Sequence, residues 1–230
     1  RRRRGGGDRT RWRRNTVIGS EAQRIALALM GAYLLGSIPS ATWIARAFYG
    51  VDITQVGSRN PGMTNVLRTL GWKPALPVAL LDAGKGLAAA WLGSALTSSL
   101  PWALAAGIAA VLGHSFTCFA RFKGGKGVLT GFGLFVFFAP YSALAGLLTW
   151  SAVVAASRFV SLGSILAAVV MPAAMVLEII HGGRRDLAPV LYVAVLISGF
   201  VIFRHRANMV RLIKGTESRL GARQAQGREA

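Results

Sequence analysis

A glycine-rich segment that carries a lysine separates two apolar stretches of the sequence. The segment reads GHSFTCFARFKGGKGVLT over 113–130, and each neighbouring stretch is long enough to enter a membrane. Glycine weakens helices and an ammonium group is costly near hydrocarbon, so this segment is poor material for a membrane helix. Closely spaced backbone N–H groups beside a cation suit an anionic ligand. We therefore predict an anion-binding loop with the candidate residues Gly124, Gly125, Lys126 and Gly127.

The spacing of this loop differs from that of the phosphate-binding loop of nucleotide hydrolases. That motif begins with glycine and places Ser or Thr directly after the lysine, to bind magnesium. Here Ala120 takes the first glycine position and Gly127 follows the lysine. A magnesium nucleotide is therefore disfavoured. A flexible basic turn that only sets membrane topology is the alternative.

A second polar segment, GSRNPGMTNVLRTLG at 57–71, has the same character. Its hydroxyl, amide and guanidinium groups are donors that phosphate or carboxylate oxygens accept. A solvated loop of turn residues is the alternative. The presence of two such segments favours the binding of an anionic ligand over the interpretation as a solvated loop. The candidate ligand-binding residues are Ser58, Asn60, Thr64, Asn65 and Arg68.

Charged and titratable residues also occur within or beside the apolar stretches. Asp82 and Lys85 are three positions apart, so they lie on one helical face and can form an ion pair, either for function or for packing. His114 comes just before the loop that holds Gly124 to Gly127, at the end of the third apolar stretch, and its spacing allows either a structural or a ligand-contacting role. We expect no metal site, because no helical histidine pair has metal-ligand spacing and Cys118 is the only cysteine.

A last polar cluster follows the final apolar stretch. His205, Asn208 and Arg211 recur every three residues, which aligns them on one helical face, and Glu217 lies further on. A basic segment against anionic lipid would explain the arginines. It would not explain His205 and Asn208.

The composition indicates the fold class. The 230 residues are 53% hydrophobic and only 15% charged, whereas soluble domains carry about 25% charged residues. Pro140 divides one long stretch into a short and a full helix. We therefore predict an all-α membrane protein, a polytopic bundle of about seven transmembrane helices, one of them short. The predicted apolar stretches are 22–48, 74–96, 102–119, 128–157, 162–180 and 187–203.

The net charge of +19 is concentrated near the two ends and in particular loops. Nucleic-acid binding is disfavoured, because basic ends that flank membrane helices normally meet anionic lipid. Seven crossings place the basic loops on one face, which the positive-inside rule makes cytoplasmic, with the N-terminus outside. The basic residues of 1–20, a predicted disordered arm, and Arg184 with Arg185 disagree with this topology. A re-entrant short helix would put both ends inside. We predict a membrane domain at 21–217 and a cytoplasmic tail at 218–230.

Several segments, taken in order, resemble one family over 33–217. The chain is similar to the acyl-phosphate-dependent glycerol-3-phosphate acyltransferases of bacteria, the PlsY family. The resemblance implies an inner-membrane enzyme with a cytoplasm-facing site. It implies transfer of an acyl group from acyl phosphate to the 1-position of glycerol 3-phosphate, without metal or cofactor. The segments are GSIPSA (36–41), 57–71, DAGKG (82–86), 113–130, SLGS (161–164) and HRANMVRLIKGTE (205–217).

The resemblance also implies roles for particular residues. It implies catalytic roles for Ser58, Arg68, Lys126, His205 and Asn208. It implies substrate binding by Ser161, with Ser164 the weaker candidate, and by the glycines beside Lys126. Glu217 is expected to be structural, and we assign Asp82, Lys85 and His114 to the same group. Arg59 and Met63 stand where the family usually has glycine and alanine.

The implied partners are glycerol 3-phosphate, acyl phosphate and membrane lipid, with no nucleic acid and no obligate protein partner. A small anion transporter and a membrane scaffold are the rival interpretations. A transporter predicts polar breaks near the middle of the membrane in corresponding halves. The polar clusters of this sequence gather instead at one predicted face. A scaffold leaves the two glycine-rich segments unexplained.

Overall fold

The computed structural model describes residues 19–221, and these residues form a bundle of α-helices joined by short turns and loops. The predicted arm lies outside the described residues apart from Gly19 and Ser20. The predicted tail lies outside them beyond Gly221. The helices in this range are α1 (Glu21–Ser37), α2 (Ser40–Tyr49), α3 (Met63–Leu70), α4 (Trp72–Thr97), α5 (Leu100–Ser115), α6 (Val128–Phe138), α7 (Pro140–Ser157), α8 (Val160–His181), α9 (Ala188–Arg204) and α10 (Arg206–Ile213).

Five helical segments within the described residues are long and apolar enough to cross a membrane. Helix α6 is apolar but short, and α7 packs along α8. The five segments and the short apolar helix α6 confirm the predicted fold class, an all-α polytopic membrane bundle. Helix α7 corresponds to the remaining segment of the about seven that were predicted. The five segments are Glu21–Tyr49, Trp72–Thr97, Leu100–Ala120, Val160–His181 and Arg185–Arg204.

The helix boundaries follow local sequence signals. Ser20 and Gln23 form a reciprocal capping box that starts α1. A proline stands in the first two positions of α5, α7 and α9, where its missing N–H is no loss. The break between α6 and α7 falls at Ala139, which has non-helical backbone angles just before Pro140. The predicted division of the long apolar stretch is therefore found, and its cause is this proline.

Glycines allow the helices to approach closely. A Cβ atom on Gly36 of α1 would lie 2.1 Å from the carbonyl oxygen of Ala110 in α5. A Cβ atom on Gly86 of α4 would lie 1.8 Å from the carbonyl oxygen of Thr130 in α6. Larger residues cannot occupy such contacts. Small residues at helix crossings thus supply the close packing that holds membrane helices together.

The basic loops meet at one end of the bundle, which we name the site end. The Arg68 guanidinium donates to the Ser218 carbonyl oxygen at 2.7 Å, and the Leu220 N–H donates to the Arg158 carbonyl oxygen at 2.7 Å. Arg204 donates to the Gly125 carbonyl oxygen at 2.7 Å. These hydrogen bonds draw four separate parts of the chain together, as the charge pattern predicts.

The opposite end of the bundle carries the residues that disagreed with the predicted topology. Arg184 forms an exposed ion pair with Asp186, with a shortest N–O distance of 2.8 Å. This pairing offsets part of the positive charge there. Ser142, near the start of α7, hydrogen-bonds to Glu178, near the end of α8. The break between α6 and α7 therefore lies near the end of the bundle at which α8 ends. Helix α6 thus runs away from the site end and does not return to it before α7 begins.

Candidate active site

A cavity of about 510 Å³ opens at the site end and extends between α6, α7, α8 and α9. Its mouth is polar and its deeper part is apolar. The polar lining includes Ser58, Asn60, Thr64, Arg68, Lys126, Ser161, Arg204, His205, Asn208, Arg211 and Glu217. The apolar lining includes Phe132, Phe135, Ala143, Leu147, Trp150, Ala168, Met171 and Ile197. Residues from separate segments of the sequence thus share one cavity.

Glu217 is the centre of the hydrogen-bond network at the mouth. Its carboxylate accepts hydrogen bonds from Ser161 Oγ at 2.8 Å, Asn208 Nδ2 at 2.8 Å and Arg211 Nε at 2.7 Å. Burial opposes ionisation, but these donors outweigh it, and the pKa of Glu217 lies below its usual value. A buried, ionised carboxylate therefore ties the C-terminal segment to the start of α8.

Lys126 extends from the glycine-rich segment into this network. Its Nζ donates to Asn208 Oδ1 at 2.5 Å. Burial, together with the positive charges of Arg211, Arg68 and Arg204, lowers the pKa of Lys126 to about 8, although Glu217 opposes the shift. Its ammonium group is therefore charged at neutral pH, poorly solvated and close to losing its proton.

Arg68 approaches the same site from α3. Its side chain is largely buried and its guanidinium lies 3.9 Å from a Glu217 oxygen. The buried Nε makes no hydrogen bond. An unsatisfied buried donor is costly. Arg68 also lines the cavity and adds positive charge to its mouth.

His205 lies at the junction of α9 and α10 and lines the cavity. Its Nδ1 is 2.8 Å from the Val201 carbonyl oxygen, which can only accept, so Nδ1 carries the hydrogen of the neutral ring. Nε2 then remains as an acceptor. Burial and the charge of Lys126 lower the pKa of His205 to about 4. The imidazole is therefore neutral near pH 7 and suited to accept a hydrogen bond from a hydroxyl group.

The glycine-rich segment uses its residues in two ways. The Gly124 and Gly125 N–H groups donate to the carbonyl oxygens of Ser115 and His114, each at 3.1 Å, and these two glycines do not line the cavity. A Cβ atom on Gly125 would lie 2.2 Å from His114 Nε2. Gly127, with φ +80°, starts α6 and lines the cavity. The predicted donors Gly124 and Gly125 are therefore already paired within the protein, and the unpaired N–H groups of this segment are those of the first turn of α6.

The first polar loop is organised from within by Asn65. This buried amide accepts from the Ser58 N–H at 2.9 Å and donates to the carbonyl oxygens of Ile53 and Val56 at 2.9 and 3.0 Å. Asn65 does not line the cavity, whereas Ser58, Asn60 and Thr64 do. Its side chain shapes the loop that presents the others. Arg59 has φ +57°, the conformation for which glycine is preferred.

Asp82, Lys85 and His114 form a buried group beside the glycine-rich segment. Lys85 Nζ donates to Asp82 Oδ1 and to the Ile38 carbonyl oxygen, both at 2.6 Å. His114 Nδ1 lies 3.7 Å from Asp82 Oδ1. The predicted ion pair is therefore present, and it connects the α1–α2 junction to α4 and α5. Asp82 and His114 also line the cavity.

The resemblance implies substrate binding by Ser161, with Ser164 as the weaker candidate. Both line the cavity, but Ser164 Oγ donates to the Val160 carbonyl oxygen of its own helix at 3.0 Å. Ser161 reaches Glu217 instead. The structure therefore connects Ser161, rather than Ser164, to the polar network.

The site residues predicted from the sequence did not include Arg204 or Arg211, although the spacing had aligned Arg211 with His205 and Asn208; both arginines line the cavity. Arg204 follows the last apolar stretch directly, and basic residues there normally indicate topology, so its sequence position gave no signal. Arg211 shares the three-residue spacing of His205 and Asn208, which was a usable signal. Among residues 19–221, no group of three or more His, Cys, Asp or Glu side chains is arranged to hold a metal ion.

The fold and the cavity define a helical membrane protein with a cationic, donor-rich site above an apolar compartment. Such a site suits a ligand that has an anionic head and a hydrocarbon tail. A family model described as glycerol-3-phosphate acyltransferase matches residues 26–215. The chain belongs to this glycerol-3-phosphate acyltransferase family and is an acyltransferase.

Relatives and solved structures agree with this assignment. The chain is 45% identical over 200 residues to a glycerol-3-phosphate acyltransferase of Synechococcus sp., covering 87% of this chain and 95% of that one. It is 46% identical over 195 residues to glycerol-3-phosphate acyltransferase 1 of Deinococcus radiodurans, covering 85% and 95%. The crystal structure of PlsY, an integral membrane glycerol 3-phosphate acyltransferase in its glycerol 3-phosphate form, is 37% identical, with a TM-score of 0.77 and coverage of 86% and 96%. Its lysophosphatidic acid form gives 36% identity, a TM-score of 0.74 and coverage of 85% and 94%.

Proposed function

We propose that this chain transfers a fatty acyl group from acyl phosphate to the 1-hydroxyl of glycerol 3-phosphate, giving lysophosphatidic acid and phosphate. The observation that carries the proposal is the cavity, which joins a cationic mouth to an apolar arm. Both proposed substrates bear phosphate, and one bears a long hydrocarbon chain. The names of the relatives support glycerol 3-phosphate as the acyl acceptor, and the two forms of PlsY support glycerol 3-phosphate and lysophosphatidic acid as ligands.

The reaction needs no covalent enzyme intermediate. The glycerol 3-phosphate hydroxyl attacks the acyl carbonyl carbon, a carbon–oxygen ester bond forms, and the bond from the acyl carbon to the phosphate oxygen breaks. The hydroxyl proton passes to the departing phosphate, whose second pKa is about 6, as in phosphorylated side chains. Phosphate is a good leaving group, so positioning and charge stabilisation can supply most of the catalysis.

The side chains at the mouth have properties that fit this reaction. Lys126 and Arg68 are candidates to hold phosphate oxygens, and hydrogen bonds to charged groups contribute about 1.5–3 kcal/mol each. His205 Nε2 is a candidate to accept the hydrogen bond of the attacking hydroxyl. With a pKa of about 4, this imidazole is a weak base. We therefore assign His205 an orienting role rather than that of a general base.

An assay of acyl donors tests the proposal. Purified protein in detergent should form lysophosphatidic acid from glycerol 3-phosphate with palmitoyl phosphate and not with palmitoyl-CoA. Lys126→Ala should reduce the rate at least about tenfold, the equivalent of one charged hydrogen bond. Lys214→Ala, which changes an exposed lysine outside the cavity, is the matched control. Equal rates with acyl-CoA in the absence of acyl phosphate would reject the proposed donor. Product formation without any ion gradient would separate the enzyme from an anion transporter.

We further propose that the protein lies in the bacterial inner membrane with the site end facing the cytoplasm. The basic loops at that end support this orientation through the positive-inside rule. Cys118 is exposed and must be removed before labelling. In a Cys118→Ala background, a cysteine introduced at Thr54 should resist a membrane-impermeant thiol reagent in intact cells and react after permeabilisation. Labelling of this cysteine in intact cells would show that the site end faces the outside.

A further inference from the structure

The apolar arm of the cavity ends among side chains of four helices, α6 to α9. On α8 the lining residues descend along one face from Ser161 through Ser164 and Ala168 to Met171. Met175, one turn further on that face, is fully buried and does not line the cavity. The ten residue steps from Ser161 to Met171 correspond to about 15 Å along the helix. The arm is therefore a compartment of limited depth within the bundle.

Three large side chains and one small one form the end of the arm, which we name the floor. Phe135 comes from α6, Ala143 from α7, Met171 from α8 and Ile197 from α9. All four are buried, and they belong to one continuous hydrophobic cluster. Behind the floor this cluster continues through Ala139, Met175, Leu187, Val190 and Ala194.

A floor backed by close-packed side chains resists extension. Inserting extra methylene groups into a packed core forces side chains and backbone to shift, which costs free energy. Methylene groups that still fit above the floor gain favourable burial instead. The binding free energy of an acyl chain in this compartment should therefore become more favourable with each carbon that fits above the floor. It should become less favourable with each carbon beyond that length.

We propose that the floor, chiefly Phe135, Ala143 and Met171, sets the upper limit of acyl-chain length that the enzyme transfers. This inference rests on the proposed function, because the occupant of the arm is the acyl chain of the donor. Below the limit, each added methylene should raise kcat/KM for the donor about fourfold, the ratio equivalent to ~0.8 kcal/mol. Above the limit, kcat/KM should fall.

Three variants test the floor. Met171→Ala removes the side chain that closes the arm on α8, and Ala143→Leu adds bulk on α7. Val169→Ala is the control, since it shortens an exposed side chain on the same helix, outside the cavity and away from the packed cluster behind the floor. Each protein receives an equimolar mixture of saturated acyl phosphates from decanoyl to eicosanoyl phosphate. Mass spectrometry of the lysophosphatidic acids gives the chain-length profile.

The expected results differ in direction. Met171→Ala should move the upper limit toward longer chains by about two carbons, because the substitution removes three heavy atoms from the floor. Ala143→Leu should move it toward shorter chains. Val169→Ala should keep the wild-type profile. If Ala143→Leu does not fold, Ala143→Val provides the smaller obstruction.

Two failures can be distinguished. Wild-type protein that uses none of the acyl phosphates would overturn the proposed function. Wild-type activity with identical chain-length profiles in the Met171 and Ala143 variants would overturn the floor alone. In that case the acyl chain leaves the cavity sideways into lipid before it reaches α8 residue Met171.

Discussion

The charge of Lys126 should control how glycerol 3-phosphate use depends on pH. Burial is the largest cause of its lowered pKa, about 8, and nearby arginines add to the shift. The ammonium form binds phosphate, and the neutral amine does not. Charge is therefore present below pH 8 and is lost as the pH rises through this value. Since kcat/KM reports ionisations of the free enzyme, the loss should appear in kcat/KM for glycerol 3-phosphate.

The size of the effect follows from the titration. Between about pH 7 and pH 9 the protonated fraction of a group with a pKa near 8 falls about tenfold. The second ionisation of glycerol 3-phosphate lies near pH 6, by analogy with other phosphate monoesters, so the charge of the substrate is nearly constant in this range. The wild-type kcat/KM should therefore fall about tenfold, with palmitoyl phosphate held at a fixed concentration well below saturation.

Lys126→Arg isolates the cause, because a guanidinium stays protonated throughout this range. This variant should be less active at neutral pH, since its planar group does not reproduce the contact with Asn208, but its kcat/KM should stay level up to pH 9. Lys214→Arg should keep the wild-type profile. A level wild-type profile, or an unchanged decline in Lys126→Arg, would refute the assignment of the ionisation to Lys126.

Three further predictions concern residues around the cavity. His205→Gln should retain measurable activity and the wild-type pH dependence; a folded but inactive variant, with a wild-type kcat that rises through a pKa near 6.5, would show that His205 is the base. Arg59→Gly should unfold at a higher temperature, because a non-glycine residue at φ +57° costs about 1–2 kcal/mol; an unchanged or lower melting temperature would argue against this strain. Gly125→Ala should raise KM for glycerol 3-phosphate about tenfold or more, since a clash of this kind costs about 1–3 kcal/mol. Adding His114→Ala should recover part of that loss by removing the clashing ring, and additive losses would exclude this contact.

The architecture was largely predictable because the bilayer imposes a length and a polarity on each crossing. Apolar stretches, Pro140 and the positions of basic loops together indicated the helices, the break between α6 and α7, and the convergence of the loops. Each of these signals is local in sequence. The resemblance then indicated Ser161, His205 and Asn208, which the structure brings to one cavity.

The contacts between distant segments were not predictable from such local signals. The spacing of the glycine-rich segment predicted donors at Gly124 and Gly125, but helix α5 already occupies both N–H groups. Asn65 has the same residue type as Asn60, yet it faces the interior of its loop. Side-chain type shows which hydrogen bonds are possible. Only the tertiary arrangement decides whether a protein atom or a ligand forms them.

The arrangement of cations around Glu217 has a physical reason that the sequence alone does not show. A carboxylate is an unexpected centre for a site proposed to hold phosphate, because like charges repel. Here it engages Ser161, Asn208 and Arg211, and Asn208 in turn accepts from Lys126. Without a carboxylate, the cations would repel one another across a partly buried cavity. Glu217 offsets that repulsion and fixes Asn208, while Lys126 keeps N–H donors for an incoming anion. The carboxylate therefore makes a concentrated positive site stable enough to exist before its substrates bind.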